Sequence, residues 1–339
     1  MKTEVLRIKT GSDHRDAVDQ AAGVLRSGGV VVFPTETVYG IGANAYSDDA
    51  VEKIFRAKGR PQDNPLIVHV DSLNSIGMAA LTGGISIEPL KTLWPGPLSV
   101  LMKKNPLVSS LCTAGLDTVV VRCPDNAFAR DMITAAGFPV AAPSANVAGR
   151  PSGSDAHDIL AELDGRVDLI IDAGRSKFGI ESTIVDPLHR PPRILRPGAF
   201  AVEDLEKFFP GIVQEKFKIG RDEKPLTPGM KYRHYSPEKP LYFATPAQII
   251  DLNRSDRGRE FAYICSRELS GEIDGLRIEL GSRENLYEIA SSLYSSLRKL
   301  DQVPRKMGVI EVFPERGIGV AIMNRIEKAA LPLGRAPKS

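Results

Sequence analysis

The chain has 339 residues, of which 42% are hydrophobic and 25% are charged, and its formal net charge at pH 7 is +2. This composition is ordinary for a globular protein, and the length allows two domains with cores of their own. No apolar run reaches the roughly 18 residues of a membrane span, and the polar N-terminus is unlike a signal peptide. Three cysteines without a CxxC pair argue against a disulfide framework and a zinc cluster. We therefore expect a cytoplasmic protein with no metal ligated by the chain itself.

Over the first two hundred residues, short β-branched runs alternate with helical patterns, which predicts an α/β domain with a mixed sheet. The predicted strands lie at 29–33, 66–70, 98–102, 118–122, 139–142, 167–172, 182–186 and 193–197. The predicted helices lie at 14–27, 48–59, 87–93, 126–136, 155–163 and 202–209.

A second α/β pattern follows a segment without hydrophobic periodicity. We predict a catalytic domain over 1–211, a basic linker rich in proline and aromatic residues over 212–240, and a smaller α/β domain of Rossmann-like type over 241–339. Within the last part, strands are predicted at 241–243, 261–265, 276–280 and 308–313, and helices at 284–300 and 320–330.

The first candidate site follows the strand VVVF, where Thr35, Glu36, Thr37 and Tyr39 precede two glycines. Ligands of α/β sheets bind at strand ends, and glycine permits close approach of a backbone. A plain turn whose hydroxyls satisfy the local backbone is the alternative. The GxGxxA spacing lacks the strand-turn-helix geometry of a dinucleotide fingerprint, so it is weak support for that ligand.

Two basic residues at the end of the predicted helix over 48–59 indicate an anion site. Lys53 and Arg56 have acidic residues four positions away, whereas Lys58 and Arg60 do not. A lysine and an arginine beside a helix end suit a phosphate, although solvated surface charges are the alternative.

A third cluster, in PVAAPSANVAGRPSGS, places Ser144, Asn146 and Ser152 before a predicted helix. Small polar side chains and free N–H groups at that position form a phosphate cradle, or simply a turn with an N-cap. The Walker motif GxxxxGK[ST] and the hydrolase motif GxSxG do not occur in the sequence.

Arg122 and Arg196 each close a β-branched run. A buried arginine needs an anionic partner, which is either a substrate or an internal carboxylate such as Glu181 or Asp186.

These motifs occur in an order that resembles one family, the threonylcarbamoyl-AMP synthases that carry a YrdC-like domain, in their longer two-domain form. The resemblance implies a YrdC-like twisted mixed sheet for the first domain. The motifs that carry it are FPTETVYG, AKGRPQDNPLIVH, CTAGLDTVVVR, APSANVAGRPS, GIESTIVD, ILRPG and PGMKYRHYSP.

The resemblance also implies a reaction and a set of roles. L-threonine, bicarbonate or CO2, and ATP would give threonylcarbamoyl-AMP and pyrophosphate, for modification of tRNA, with Mg2+ held through the triphosphate. The chain would be a monomer that works with tRNA and a downstream transferase. Lys58 and Arg60 would act on phosphate in catalysis. L-threonine would contact Thr35, His69, Arg122, Ala142 and Ser182. ATP would contact Arg60, Asn64, Thr118, Ser144, Asn146, Ser152, Arg196 and Tyr235.

The linker residues Lys231 to Tyr235 are expected to form a lid that excludes water from the labile adenylate. The chain departs from the family at Ala148, where a serine is usual, at Gly153-Ser154, where Pro-Thr is common, and at 175–178. Two other functions fit the same residues. One is a double-stranded RNA-binding or RNA-maturation module without catalysis, and the other is a related carbamoyl-adenylate transferase.

Overall fold

The computed structural model describes residues 2–9, 13–214, 225–229 and 234–336. The chain forms two compact units. The first comprises the described residues of 1–148, 153–177 and 181–232, and the second those of 149–152, 178–180 and 233–339. Two short segments of the N-terminal half therefore belong to the second unit, which periodicity alone does not indicate. The boundaries 1–211, 212–240 and 241–339 stay a prediction.

The first unit is built on a mixed sheet of twelve strands within the described residues. They are β1 (Glu4–Arg7), β2 (Val31–Phe33), β3 (Gly40–Asn44), β4 (Ile67–His69), β5 (Ala80–Leu81), β6 (Leu98–Lys104), β7 (Thr118–Arg122), β8 (Val140–Ala141), β9 (Leu169–Asp172), β10 (Thr183–Asp186), β11 (Arg193–Arg196) and β12 (Val213–Gln214). Their spatial order is β1-β9-β2-β3-β8-β4-β7-β6-β10-β11-β12, and β5 pairs with β6.

Helices of the first unit pack on both faces of this sheet. They are α1 (Arg15–Arg26), α2 (Asp48–Lys58), α3 (Ile76–Ala79), α4 (Glu88–Leu93), α5 (Ala127–Ala136), α6 (Ala156–Leu163) and α7 (Val202–Leu205). One hydrophobic cluster joins α1 and α5 to Val31 and Phe33. A second joins α2 and α6 to Val32, which points to the opposite face. Burial of both faces explains why most strands read as continuous apolar runs.

Helix α2 shows how local sequence sets the limits of an element. The Ser47 side chain accepts a hydrogen bond from the Ala50 N–H, which caps the first turn. The helix ends where Gly59 takes a left-handed conformation with φ of 60°. This geometry fixes the direction in which Lys58 and Arg60 leave the helix.

Strand β3 gives Gly40 and Gly42 a role in packing, and the approach of a ligand to this backbone stays a prediction. The segment after Tyr39 is a strand, and it pairs antiparallel with β2 and with β8. A Cβ atom at Gly42 would lie 2.7 Å from Phe33 Cε1 and 2.7 Å from Val140 Cγ1. These glycines make room for the Phe33 ring inside the sheet.

Substitution of Gly42 by alanine is expected to lower the free energy of unfolding by about 1–3 kcal/mol, because the added methyl group overpacks a filled core. Gly23→Ala is the matched control. Gly23 lies within α1, and an added Cβ meets no atom within 4 Å, so the change is expected to stabilise by about 0.5–1 kcal/mol. Urea unfolding measures both variants, and equal stabilities would contradict the packing account.

The second unit contains a parallel sheet in the order β15-β14-β16-β13-β17. Its described strands are β13 (Leu241–Ala244), β14 (Phe261–Cys265), β15 (Arg277–Glu279), β16 (Met307–Glu311) and β17 (Leu331–Pro332). Its helices are α8 (Pro246–Arg254), α9 (Arg267–Ser270), α10 (Leu286–Gln302) and α11 (Gly319–Ala329). The α/β class predicted for both parts of the chain is confirmed.

Candidate functional site

Polar side chains line up across five neighbouring strands of the first unit, β4, β7, β6, β10 and β11. His69 on β4 pairs in register with Arg122 on β7, and Arg122 pairs on its other side with Ser99 on β6. The Ser99 hydroxyl lies 2.7 Å from the Ser182 hydroxyl, at the start of β10. Arg196 on β11 donates to the Ser182 hydroxyl at 3.0 Å. We call these five residues the polar row.

A small hydrophobic cluster continues from the polar row on the same face of the sheet. Side chains two residues apart on a strand share a face, and Ile67, Leu101, Val120 and Ile184 each lie two positions from a member of the row. Leu195 directly precedes Arg196 and packs in the same cluster. We call this cluster the apolar floor, and it consists of Ile67, Leu101, Val120, Ile184 and Leu195. Charged and hydroxyl groups thus border an apolar surface, which is the composition of a site for an organic ligand.

The Arg122 guanidinium forms a buried ion pair with Glu36. Arg122 Nη2 lies 2.7 Å from Glu36 Oε1, and both side chains are about 95% buried. Arg122 Nε also donates to the Gly96 carbonyl at 3.4 Å. Asp186, one of the two carboxylates predicted as an internal partner of Arg122 or Arg196, pairs instead with Arg193 at 3.0 Å. Glu36 reaches Arg122 from the loop after β2, which sequence separation does not reveal.

His69 is held neutral beside this pair. Burial and, to a smaller extent, the nearby positive charge of Arg122 lower the pKa of His69 to about 3. The imidazole meets the edge of the Phe33 ring at a centroid distance of 6.2 Å. Among the described residues, its Nδ1 atom has no hydrogen-bond partner.

The predicted threonine-contacting residues are brought together around the same strand ends. The Thr35 hydroxyl donates to the Val38 carbonyl at 2.5 Å and lies 2.9 Å from the Thr37 hydroxyl. Ala142 follows β8, and its N–H donates to the Ile67 carbonyl on β4 at 2.8 Å. Because β8 runs antiparallel to β4, Ala142 lies beside the start of β4, and the His69–Arg122 pair lies about two residues further along the sheet.

Lys58 is buried, and its ammonium group contacts the loop after β8. Its Nζ atom donates to the carbonyls of Ser144 and Asn146, both at 2.5 Å, and lies 3.4 Å from Asn146 Oδ1. The Ala148 N–H returns a hydrogen bond to the Lys58 carbonyl at 2.8 Å. The sequence suggested a cation without a partner at this position, but Lys58 ties the end of α2 to this loop.

Arg60 and Asn64 form a second polar group beyond α2. Arg60 Nε donates to the Asn64 carbonyl at 3.1 Å, and Nη2 donates to the Pro65 carbonyl at 2.8 Å. The buried Asn64 Oδ1 atom has no hydrogen-bond partner among the residues that the structure describes. Asn64 precedes β4, which pairs with β7, so it lies toward the Thr118 end of that pair of strands.

Thr118 and Arg122 stand at opposite ends of β7 and point to the same face. Four residues of strand span about 13 Å, at roughly 3.3 Å a residue. Thr118 is therefore about 13 Å from Arg122 along β7, with the apolar floor between them. Asn64 lies toward the Thr118 end, and Arg60 contacts Asn64.

The remaining predicted residues, Ser152 and Tyr235, belong to the second unit. Arg298 donates to the Pro151 carbonyl at 2.5 Å, which holds the segment that carries Ser152. The Tyr235 ring stacks on Tyr294 at a centroid distance of 5.2 Å. Of the predicted lid, Lys231, Tyr232 and Arg233 lie outside the described residues.

Sequence reasoning missed two members of the site. Ser99 is the one polar residue in the apolar run LSVLM, which is the signal that could have identified it. Glu36 was noticed as part of a polar cluster but was given no role.

At the departure from the family pattern, a Cβ atom at Gly153 would lie 2.4 Å from the Ala145 carbonyl oxygen, so the local packing requires this glycine.

Among the described residues, no group of three or more His, Cys, Asp or Glu side chains is arranged to hold a metal ion. Likewise, no helix in that part of the chain is long and apolar enough to cross a membrane.

Known protein families and curated relatives match most of the length of this chain. A family model described as "Telomere recombination" matches residues 23–198, and one described as "Threonylcarbamoyl-AMP synthase, C-terminal domain" matches residues 200–331. The chain is 42% identical over 323 residues to a threonylcarbamoyl-AMP synthase of Bacillus subtilis, covering 92% of each chain. It is 39% identical over 321 residues to a threonylcarbamoyl-AMP synthase of Pyrococcus abyssi, covering 91% of this chain and 93% of the relative.

One solved structure resembles both units. The crystal structure of P. abyssi Sua5 complexed with L-threonine matches with a TM-score of 0.88 and 37% identity, covering 97% of this chain and 98% of that one.

Proposed function

The chain belongs to the threonylcarbamoyl-AMP synthase family in its two-domain form, and we propose that it joins L-threonine, bicarbonate or CO2, and ATP into threonylcarbamoyl-AMP with release of pyrophosphate. The product would supply the threonylcarbamoyl modification of tRNA. The observation that carries this proposal is the polar row with its adjoining apolar floor, which offers charge at one end and a long apolar surface beside it.

We place L-threonine at the Arg122 end of the row. Its carboxylate suits the Arg122 guanidinium, which can bind a carboxylate with two parallel hydrogen bonds. Its hydroxyl suits the hydroxyl groups of Thr35 and Ser182. Neutral His69 and the methyl group of Ala142 would complete the contacts without adding a competing charge.

We place ATP along the apolar floor, toward the Thr118 end. Arg60, Asn64, Ser144, Asn146 and Lys58 lie on the elements around that end, and Arg196, Ser152 and Tyr235 are further proposed contacts. Attack of an anionic carbamate oxygen on the α-phosphate needs positioning and charge stabilisation more than a strong base. The proposed role of Lys58 and Arg60 is to hold the phosphates in line with the attacking oxygen.

A magnesium ion fits this arrangement through the nucleotide. We propose that Mg2+ is held through the triphosphate. Bound to the triphosphate, Mg2+ would neutralise charge on the leaving pyrophosphate.

The oligomeric state, the compartment, the acceptor of the product and the linker are also part of the proposed function. We infer a monomeric, cytoplasmic enzyme whose product passes to tRNA through a downstream transferase. The segment over 212–240 would join the catalytic domain to the C-terminal domain and close over the nucleotide as a lid. A protein truncated near residue 210 that kept full activity and a full lifetime of the intermediate would contradict the lid.

The test of the proposed function is pyrophosphate release from ATP and Mg2+, with threonine and bicarbonate each left out in turn. Release is expected to require both. Arg60→Ala is expected to lower the rate of pyrophosphate release at least tenfold, because the phosphates would lose a proposed positive contact. A tenfold loss corresponds to about 1.4 kcal/mol of transition-state stabilisation.

Arg56→Ala is the matched control for Arg60→Ala. Arg56 lies in the last turn of α2, four residues before Arg60. Its side chain is 73% exposed, and it contacts Glu52. Its replacement should leave turnover unchanged. Release that ignores threonine would favour a carbamoyl-adenylate transferase, and no release from a folded protein would favour an RNA-binding module.

A further inference from the structure

The Glu36 carboxylate is buried beside the polar row with almost none of its hydrogen-bonding capacity used. Its side chain is 4% exposed, and Oε1 lies 2.7 Å from Arg122 Nη2. Neither Oε1 nor Oε2 accepts a hydrogen bond from the residues that the structure describes. The contact with Arg122 is therefore an ion pair without aligned hydrogen bonds.

A second buried carboxylate in the same sheet, that of Asp186, has the hydrogen-bond donors that Glu36 lacks. Asp186 accepts hydrogen bonds from the N–H groups of Leu188 and His189 and from Arg193 Nε. Buried polar atoms in folded proteins nearly always have such partners, because an unsatisfied one loses its hydration without replacement. A carboxylate can accept about four hydrogen bonds, so Glu36 can still accept hydrogen bonds from several donors.

The charges around Glu36 limit which kind of hydrogen-bond donor would bind its carboxylate. Arg122 already contacts Glu36, and His69 is neutral at physiological pH because burial and the Arg122 charge lower its pKa. A bound amino acid brings a carboxylate, which competes with Glu36 for Arg122, and an ammonium group with three N–H donors. Only the ammonium group complements the Glu36 charge.

We propose that Glu36 binds the α-ammonium group of the amino-acid substrate, while Arg122, between the two carboxylates, binds the substrate carboxylate. This inference rests on the proposed function and deepens it. Glu36 would select substrates that carry an amino group next to the carboxylate, and it would fix the direction in which the nitrogen faces its reaction partner. Arg122 alone would bind any small carboxylate.

A cycle of two proteins and two ligands tests this assignment. The ligands are L-threonine and 3-hydroxybutyrate, which has the same carboxylate, hydroxyl and methyl groups but no ammonium group. The proteins are the wild type and Glu36→Gln, and calorimetry measures binding. The variant is expected to bind L-threonine at least tenfold more weakly than the wild type and to bind 3-hydroxybutyrate within twofold of it.

Equal loss of affinity for both ligands would overturn the proposal, because Glu36 would then act only by positioning Arg122. Unchanged affinity for L-threonine would overturn it as well. Asp186→Asn is the matched control, a buried carboxylate in the same sheet whose replacement should leave both affinities unchanged. Glu36→Asp, which keeps the charge but withdraws it by one methylene, gives the same comparison if Glu36→Gln does not fold. A wild-type protein that binds no L-threonine would refute the proposed function instead, before any variant is compared.

Discussion

Replacement of Arg122 by methionine is expected to lower kcat/KM for L-threonine by about 100-fold or more in the pyrophosphate-release assay. The guanidinium is the proposed partner of the substrate carboxylate, and truncating one member of a buried charge pair costs about 2–5 kcal/mol. About 2.7 kcal/mol corresponds to the factor of 100. The KM for L-threonine should carry most of the change, because the interaction forms on binding.

The same substitution should also destabilise the fold, so the two effects have to be separated. It leaves the Glu36 carboxylate buried without its cation, which costs about 3–5 kcal/mol in comparable cases. Adding Glu36→Gln to Arg122→Met should restore much of the stability, as measured by urea unfolding, and none of the activity.

Arg193→Met is the control for Arg122→Met. Arg193 pairs with buried Asp186 in the same sheet, and its loss should affect stability without changing KM. Recovery of activity together with stability in the double variant would show that Arg122 has a structural role only.

Much of the fold could be predicted from the sequence, because many buried strands in this chain are β-branched and helices such as α2 and α5 end at glycine. The structure contains strands where TVVVR, LSVLM and STIVD stand, within a residue or two. Strand β3, with the sequence GIGAN, was missed because glycine and asparagine have low strand propensity. It forms because two neighbouring strands pair with it and because its glycines admit Phe33. Tertiary packing overrides local preference there.

Helix α8 was missed for a different reason. Pro246 reads as a breaker within a short pattern, yet it occupies the first turn, where its missing N–H is harmless. Thr245 and Gln248 form a capping box around it. The capping pattern was present in the sequence and outweighs the proline.

The candidate site was predictable as a set of motifs but not as an arrangement. The residues of the polar row come from distant segments, and their adjacency depends on the parallel pairing of β4 with β7 and of β6 with β10. Strand order is not encoded in the periodicity of any one segment. Glu36 was not predicted as a partner of Arg122 for the same reason, because it approaches from a loop that no local pattern links to β7.

Replacement of Lys58 by methionine is expected to lower kcat/KM for ATP by about 100-fold or more and to reduce the free energy of unfolding by about 2–4 kcal/mol. Lys58 is 99% buried. Its ammonium group donates to two carbonyl oxygens of the loop that carries Ser144 and Asn146. Each hydrogen bond from a charged donor is worth about 1.5–3 kcal/mol. Without the ammonium group, this loop loses its fixed position beside the proposed phosphate site, and the phosphates lose a nearby positive charge.

Lys53→Met is the control that separates burial from charge. Lys53 lies on the same helix and donates to the Gly28 carbonyl at 2.7 Å, but its side chain is exposed. Its loss should cost less than about 1 kcal/mol of stability and no activity. If Lys58→Met unfolds more easily but turns over ATP as fast as the wild type, Lys58 is a clamp between α2 and the loop after β8. If turnover falls while the loop keeps its protection from hydrogen exchange, the positive charge itself acts on the phosphates, and Lys58 belongs to the chemistry with Arg60.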